Sequence, residues 1–191
     1  FTSADAALAL KKEMEKRYKV RVRLVSGDLT KKGVVNEIFK KYSPDAVLNN
    51  AAVFKPNDTR ENMATNKNAP LRITKAAIRR MLADKKKGVI VFYGDAWIGR
   101  GRAYPKNLDG YARSKRWIPD AVAKYATYGR KGIRIVGILN GPIVAPKSAS
   151  REAIALIAKQ LQSPDDQKVP WIGPEAVADA TKFVLLNTAI V

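Results

Sequence analysis

Tyr111 and Lys115 are the two residues whose types and spacing most directly suggest chemistry. They lie four positions apart, so on a helix their side chains would share one face, one turn from each other. A lysine ammonium beside a phenol favours the phenolate, which predicts a lowered pKa for the Tyr111 hydroxyl. Such a group can donate or accept a proton and suits the reduction of a carbonyl or an imine. The same spacing also occurs by chance in many helices.

The composition restricts which other chemistries are available. The 191-residue chain has no cysteine and no histidine, which excludes a thiolate nucleophile, a Ser-His-Asp triad and most zinc sites. We therefore expect no metal site, and catalysis would depend on Tyr, Lys, Asp, Ser or a cofactor. A hydrophobic content of 46% is typical of a globular domain, and no apolar run approaches the roughly 20 residues of a membrane span. No secretory signal opens the sequence, so we expect the mitochondrial matrix or the cytoplasm rather than secretion.

The charge balance is much more basic than that of a typical small-molecule enzyme. The chain has 36 Lys and Arg against 17 Asp and Glu, a formal net charge of +19. Residues 1–150 contain 32 basic and 12 acidic residues, whereas residues 151–191 contain 4 and 5. A single run such as Lys85-Lys86-Lys87 is explained by a solvated helix end, where the helix dipole favours cations. The total excess favours a polyanionic partner, nucleic acid or an acidic membrane, because self-repulsion would otherwise destabilise the fold.

Hydrophobic periodicity alternates between strand and helix along the whole chain. It predicts strands at 20–25, 45–49, 88–93 and 133–139, and helices at 3–18, 30–42, 69–83, around Tyr111, 150–161 and 174–186. The first helix is expected to be capped by Ser3 and to bury Ala7, Leu8, Leu10 and Met14. Strands that alternate with helices predict an α/β fold, a doubly wound parallel sheet in one Rossmann-like domain over residues 1–191.

Polar and small residues follow the ends of the predicted strands. They are Asp28, Asn49-Asn50-Ala51, Asp95 and Asn140-Gly141-Pro142. Each has a simple local explanation, since Asp28 could cap the next helix and Gly141-Pro142 could form a turn. In a parallel sheet, however, ligands bind beyond the carboxyl ends of the strands. The set as a whole therefore predicts a ligand-binding cleft at that edge.

These motifs, in this order, resemble the short-chain dehydrogenase/reductase family along the whole chain. The segment Asn49-Asn50-Ala51-Ala52 resembles the NNAG motif of that family, with Ala52 in place of the glycine. The resemblance implies a nicotinamide cofactor, with Asp28 at the adenine ring and Lys115 at the nicotinamide ribose. The implied cofactor-binding set is Ser3, Asp28, Asn50, Ala51, Lys115, Gly141, Pro142 and Ile143.

Within that family the sequence is most similar to the pteridine reductases. Asp95 stands where most members have a serine, and an aspartate at this position is typical of the pteridine reductases. Phe54 corresponds to the phenylalanine on which a pterin ring stacks. The resemblance implies Tyr111 as general acid and Asn66 as the residue that holds a proton-relay water. It implies NADPH as the cofactor, with Ser3 near its 2′-phosphate. The implied catalytic residues are Tyr111, Lys115, Asp95 and Asn66, and the implied substrate-binding residues are Phe54, Asp95 and Trp97.

The sequence lacks the glycine-rich TGxxxGxG loop near its start and the final strand that the family usually has. We therefore expect these 191 residues to be part of a longer polypeptide, with the fold incomplete at both ends. Two functions stay open. One is an NADPH-dependent, pteridine-reductase-like enzyme that acts on a small pterin-like substrate and forms a homo-oligomer. The other is a non-catalytic descendant of the family, a basic structural subunit of a large RNA-containing assembly such as a mitochondrial ribosome.

Overall fold

Three parallel strands form the centre of the fold, in the order β1-β2-β3. The strands are β1 (Ala46–Asn49), β2 (Gly88–Asp95) and β3 (Ile133–Asn140). The computed structural model describes residues 3–99, 104, 106–141, 143 and 173–187. Its register places Asn49 opposite Phe92 and Asp95 opposite Asn140. The carboxyl ends of the strands therefore meet at one edge of the sheet, where a ligand cleft was predicted.

Helices lie on both faces of this sheet. They are α1 (Ala4–Tyr18), α2 (Lys32–Lys41), α3 (Thr59–Met63), α4 (Ala69–Ala83), α5 (Ala96–Gly99), α6 (Asp109–Arg116), α7 (Ile118–Tyr125) and α8 (Pro174–Leu186). Residues Ala64–Asn68 form a π-helical turn between α3 and α4, and 3₁₀ turns occur at Lys106–Leu108 and Ala126–Lys131. Within the described ranges, no helix has the length and apolar composition needed to span a bilayer.

The core divides according to the two faces of the central strand. Successive side chains of β2 point to opposite faces, so Ile90 and Phe92 pack with α4, α7 and β3, whereas Val89 and Val91 pack with Val184 of α8. The larger cluster contains Ala77, Ile78, Met81, Ile90, Phe92, Trp117, Ile118, Ala121, Tyr125, Ile133 and Ile135. Because β2 is covered on both faces, its sequence is a continuous apolar run rather than an alternating one.

The predicted α/β class is confirmed, and so are most of the predicted elements. Strands 45–49, 88–93 and 133–139 and helices 69–83 and 174–186 agree with the structure to within two residues at each end. The predicted helix at 30–42 is observed as α2, and the predicted long helix around Tyr111 is divided at Trp117 into α6 and α7. The predicted helix at 150–161 lies outside the described residues.

The predicted strand at 20–25 is wrong. Its backbone pairs with side chains of α1 instead, since the Val22 N–H donates to Glu15 Oε1 at 2.9 Å and the Lys11 ammonium donates to the Val22 carbonyl at 2.8 Å. An alternating pattern becomes a strand only if a neighbouring backbone supplies the ladder hydrogen bonds. In the described part of the chain, no strand lies beside the outer edge of β1. The same open edge leaves Leu48 of β1 44% exposed, although apolar strands of a parallel sheet are usually buried.

The first helix has the predicted cap without the predicted burial. Ser3 Oγ accepts a hydrogen bond from the Ala6 N–H at 3.3 Å, which confirms Ser3 as the N-cap of α1. However, α1 has no buried residue, and Leu8, Leu10 and Met14 are largely exposed. An amphipathic pattern requires a surface to cover, and the strand that would have provided one is absent from the described residues.

Candidate functional site

Asp95, at the carboxyl end of β2, lies at the centre of the candidate site. Tyr104 Oη donates a hydrogen bond to Asp95 Oδ2, and the Tyr111 hydroxyl lies near the same carboxylate, whose charge raises the pKa of Tyr111. The two tyrosine rings lie 5.9 Å apart, centroid to centroid. The structure therefore brings together two of the predicted catalytic residues. It adds Tyr104, which sequence reasoning missed because no motif or helical spacing singles it out.

Helix α6 can place Tyr111 beside Asp95 because Gly110 allows a close approach to α3. A Cβ atom at Gly110 would lie 2.7 Å from Thr59 Cα, which is closer than such atoms can approach. Glycine is therefore required where the two helices meet. Lys115, one turn after Tyr111, donates to the Tyr93 carbonyl at 3.0 Å and is thereby tied to β2.

The electrostatics of Tyr111 differ from the sequence-based prediction. Burial raises the pKa of the Tyr111 hydroxyl, and the negative charge of Asp95 and the hydrogen bond to it raise that pKa further. The prediction that Lys115 lowers this pKa is wrong. The Lys115 ammonium is itself desolvated, so burial lowers the pKa of Lys115 while the Asp95 charge acts in the opposite direction. Tyr111 is therefore a neutral phenol at physiological pH, which holds a proton to donate but is a weaker acid than an ordinary tyrosine.

Phe54 completes an aromatic wall beside the carboxylate. Its ring meets Tyr111 edge-on, with centroids 4.8 Å apart and planes 66° from each other. Rings of this kind offer flat surfaces to a planar ligand and contribute beyond the apolar area that they bury. The predicted substrate-binding residue Phe54 thus lies next to the predicted catalytic residue Tyr111. Of Trp97, the other predicted substrate residue, the structure describes the backbone in α5 but not the side chain.

Two buried asparagines, one helical turn apart, fix the backbone on either side of Phe54. Asn66 Oδ1 accepts from the Val53 N–H and Asn66 Nδ2 donates to the Val53 carbonyl, both at 2.8 Å. Asn62 Oδ1 accepts from the Lys55 N–H at 3.3 Å, and Asn62 Nδ2 donates to the Lys55 carbonyl at 2.7 Å. Asn62 was missed at the sequence level, since an asparagine in a polar helix turn carries no signal that it is buried.

Asn66 also joins this loop to the helix of Tyr111. Asn66 Nδ2 donates to Ser114 Oγ at 3.0 Å, and Ser114 Oγ donates to the Tyr111 carbonyl at 2.7 Å. The Trp117 indole N–H donates to the Asn66 carbonyl at 3.2 Å. Asn66 lies in the π-helical turn, a feature frequent at functional sites. Its observed contacts make it a positioning residue, and its role in holding a proton-relay water stays a prediction.

Asn62→Ala is expected to destabilise the protein by about 1–3 kcal/mol, because buried backbone groups on the loop of Phe54 lose their partners. Asn62 is fully buried and also donates to the Asp58 carbonyl at 2.7 Å. The free energy of unfolding in urea measures the loss. Asn36→Ala, at an exposed position of α2, serves as the matched control and is expected to change stability by less than about 0.5 kcal/mol. Equal losses in the two variants would contradict the assigned role of Asn62.

Two of the predicted cofactor-binding residues, Asp28 and Ser3, form hydrogen bonds with their own neighbours in the sequence. Asp28 Oδ1 accepts from the Thr30 N–H at 2.8 Å and from Thr30 Oγ1 at 2.7 Å. These bonds lower the pKa of the Asp28 carboxyl and form a local turn with Thr30. The predicted helix cap is not formed by Asp28, because Lys31 is the N-cap of α2. Ser3 is the α1 cap described above. The proposed adenine contact of Asp28 and the phosphate contact of Ser3 stay predictions.

The ends of β1 and β3 carry amide groups without partners. Asn49 Oδ1 and Nδ2 and Asn140 Oδ1 are buried atoms that have no hydrogen-bond partner among the described residues. Buried polar atoms are nearly always paired in a folded protein, and leaving one unpaired costs about 1–3 kcal/mol. These two residues flank Asp95 along the edge of the sheet, so they are suited to a polar ligand that would pair with them.

The remaining predicted cofactor residues lie in the same region. Asn50 and Ala51 follow β1 and are exposed, and Gly141 and Ile143 follow β3 and are half-buried. Pro142 lies outside the described residues. The structure thus places these four at the ends of the two strands that carry the unpaired amides, and it leaves their contacts with a cofactor as predictions.

The alkaline stability of the protein is expected to fall above about pH 10, the usual pKa of tyrosine. Burial, the Asp95 charge and the hydrogen bond to Asp95 raise the pKa of the Tyr104 hydroxyl, as they do that of Tyr111. The unfolded chain would release these protons at a pH where the folded chain still holds them, so the stability they provide is lost as pH rises. Tyr104→Phe should make the free energy of unfolding less dependent on pH in that range. An unchanged dependence would contradict the raised pKa.

The comparisons with known proteins identify a family and a fold for this chain. The family model of the NAD dependent epimerase/dehydratase family matches residues 4–187. No curated protein is significantly similar in sequence to this chain. Among solved structures, a 4-hydroxyisoleucine dehydrogenase complexed with NADH is similar with a TM-score of 0.70 and 23% identity, over 87% of this chain and 74% of that chain.

A Beutenbergia cavernae protein assigned as an NAD(P) dependent gluconate 5-dehydrogenase, with bound NADP, is also similar. Its TM-score is 0.80 at 20% identity, over 97% of this chain and 78% of that chain. At these identities the likeness establishes the fold, which is the Rossmann-type fold of NAD(P)-dependent dehydrogenases.

Proposed function

Because this chain belongs to the NAD-dependent epimerase/dehydratase family, we propose that it is an NADPH-dependent reductase acting on a C=N or C=O bond of a pterin-like ring. The observation that carries the proposal is the Asp95 carboxylate between the hydroxyls of Tyr104 and Tyr111, with the Phe54 ring against Tyr111. This arrangement combines a proton donor, an anionic acceptor and flat aromatic surfaces within one small site.

The substrate class follows from the acceptor capacity of Asp95. A carboxylate can accept from an amino group and an adjacent ring N–H at the same time, and a pterin presents these two groups side by side. Phe54 and the tyrosines supply the stacking surface that such a bicyclic ring requires. A small aliphatic substrate would use neither feature.

A nicotinamide cofactor is supported by the unpaired amides at the strand ends. Asn49 and Asn140 offer a donor and acceptors on either side of Asp95, which suits the carboxamide and ribose of a nicotinamide nucleotide. The similar dehydrogenase structures hold NADH or NADP. We propose NADPH rather than NADH because Ser3 begins α1, where backbone N–H groups and the helix dipole favour a phosphate.

In the proposed reaction the cofactor supplies a hydride, and the residues of this chain supply alignment and a proton. Tyr111 keeps its proton until the substrate nitrogen or oxygen gains negative character, and then donates it. Asp95 orients the ring so that the reacting atom faces Tyr111. One Lys115 N–H is used on the Tyr93 carbonyl, which leaves two donors for a ribose hydroxyl.

The non-catalytic alternative, a basic subunit of an RNA-containing assembly, stays a prediction. The arrangement of Asp95, Tyr104 and Tyr111 favours the enzyme, because a half-buried carboxylate beside two tyrosine hydroxyls has an evident use in proton transfer and no evident use in a purely structural subunit. Homo-oligomerisation and a mitochondrial or cytoplasmic location also stay predictions.

The test is NADPH oxidation by the full natural polypeptide, with an oxidised pterin compared with a simple aliphatic ketone. We expect turnover with the pterin and a kcat/KM at least about 100-fold higher than with the ketone, since hydrogen bonds to a charged acceptor are worth about 1.5–3 kcal/mol and stacking adds to them. Turnover confined to the ketone would overturn the pterin assignment. Absence of turnover with either substrate would favour the non-catalytic alternative.

A further inference from the structure

The edge of the sheet opposite the candidate site is bordered by three basic loops. They are residues 40–45, which include the last two residues of α2, residues 84–87 and residues 129–132, and they lie directly before β1, β2 and β3. Backbone hydrogen bonds hold them side by side, since the Val89 N–H donates to the Asp45 carbonyl and the Gly88 N–H donates to the Gly132 carbonyl, each at 3.0 Å. The parallel topology therefore gathers cations that are far apart in the sequence. This basic edge consists of Lys40, Lys41, Lys85, Lys86, Lys87, Arg130 and Lys131.

The acids of these loops neutralise little of this charge. Asp45 and Asp84 are the two acids within the three loops. Asp45 pairs with Lys86 at 3.1 Å, and Asp84 pairs with Arg80 of α4 at 2.7 Å. The other six cations of the basic edge are exposed. Most of the positive charge of this edge is therefore not neutralised by acids within the same loops.

Two half-exposed tyrosines lie among these cations. The Lys41 ammonium is 5.6 Å from the centre of the Tyr42 ring, and the Arg23 guanidinium is 5.9 Å from the same centre. The Lys131 ammonium is 5.8 Å from the centre of the Tyr128 ring. Cations interleaved with aromatic rings suit an unpaired nucleic acid, whose phosphates pair with the cations while its bases stack on the rings. Tyrosines also suit a membrane interface, so binding to anionic vesicles is measured as a separate outcome of the test.

We propose that the basic edge binds single-stranded nucleic acid, at a surface separate from the carboxyl-edge site and independent of its chemistry. Lys41, Lys87 and Lys131, one from each loop, contact phosphates, and Tyr42 provides a stacking face. Lys87 lies against the next loop, because a Cβ at Gly132 would be 2.7 Å from Lys87 Cγ. The three cations are thus held on one continuous surface, and binding is expected to be electrostatic and largely independent of base sequence.

The test measures the affinity of a fluorescent single-stranded oligoribonucleotide of about 20 nucleotides, longer than common site sizes, by anisotropy at several salt concentrations. The combined variant Lys41→Gln, Lys87→Gln and Lys131→Gln should reduce the slope of log K against log salt by about 2, since each lost contact contributes about 0.7. The matched control is Lys12→Gln, Lys32→Gln and Lys75→Gln, which removes equal charge from exposed positions of α1, α2 and α4. The control should leave the slope nearly unchanged.

Equal losses in the two triple variants would overturn the proposal, because binding would then follow net charge rather than this surface. Tyr42→Leu should weaken binding to the oligoribonucleotide but not to heparin, a polyanion without bases. Equal weakening of binding to the oligoribonucleotide and to heparin would exclude a stacking role for Tyr42. Binding to phosphatidylserine vesicles that depends on the same three lysines, with no binding to the oligoribonucleotide, would also overturn the proposal and identify a membrane surface instead.

Discussion

Replacing Tyr111 with phenylalanine is expected to lower kcat for pterin reduction by about 100- to 10,000-fold, the usual contribution of a positioned general acid. The ring stays in place against Phe54, so the aromatic wall is kept, and the loss is confined to the hydroxyl whose pKa Asp95 raises. Steady-state kinetics measure the effect, and NADPH binding should change little because the hydroxyl is assigned to the substrate proton.

Tyr104→Phe is the matched control for this experiment. It also removes a tyrosine hydroxyl beside the Asp95 carboxylate, since Tyr104 Oη donates a hydrogen bond to Asp95. Tyr104 acts through Asp95, so we expect a rise in KM and a fall in kcat of less than about tenfold, the effect of losing one positioning hydrogen bond. If Tyr104→Phe were as damaging to kcat as Tyr111→Phe, the assignment of Tyr111 as the proton donor would be contradicted.

Asp95→Asn is expected to raise the KM for a pterin by about 10- to 100-fold, because charge-assisted hydrogen bonds to the ring become neutral ones. It should also lower the pKa of the Tyr111 hydroxyl toward its ordinary value, since the Asp95 charge contributes to raising it. A pH titration followed by tyrosinate absorbance measures the second effect. In the variant, fewer tyrosine hydroxyls than in the wild type should remain protonated above about pH 10.

The matched control for that substitution is Asp120→Asn, at an exposed position of α7. It removes the same charge away from the site and is expected to leave both KM and the tyrosine titration unchanged. An Asp95→Asn variant with wild-type KM would exclude Asp95 as the acceptor of the ring N–H groups. A wild-type titration in that variant would mean that burial alone raises the pKa of Tyr111.

The fold could be predicted where the local sequence pattern alone is enough to define a helix or a strand. The apolar run of β2 and the helices α4 and α8 have clear patterns and boundaries, and they appear as expected. The predictions of a strand at 20–25 and of a buried face on α1 were wrong. Strand pairing and burial both require a neighbouring element, and a local sequence pattern does not show whether that element is present. The backbone partners of segment 20–25 turned out to be Lys11 and Glu15 of α1.

The site could be predicted in part, from motifs rather than from spacing alone. Tyr111 was identified first by its spacing from Lys115, Asp95 and Phe54 were identified by resemblance, and the structure brings the three together. Tyr104 and Asn62 were missed, because their importance comes from the tertiary contacts of a loop and a buried helix face. The direction of the Tyr111 pKa was also missed, since burial and a carboxylate from another element outweigh a lysine that is near in sequence.

The most direct test of the account is NADPH binding to the full natural polypeptide, followed by nicotinamide fluorescence at about 0.15 M salt, where unspecific attraction of phosphate to the +19 chain is screened. The triple glutamine variant of the basic edge is the control, because it lowers the net charge without touching the carboxyl edge of the sheet. The account predicts saturable binding, tighter for NADPH than for NADH, with the same affinity in the variant. No saturable binding, or binding lost in step with the removed charge, would contradict a cofactor site beside Tyr111.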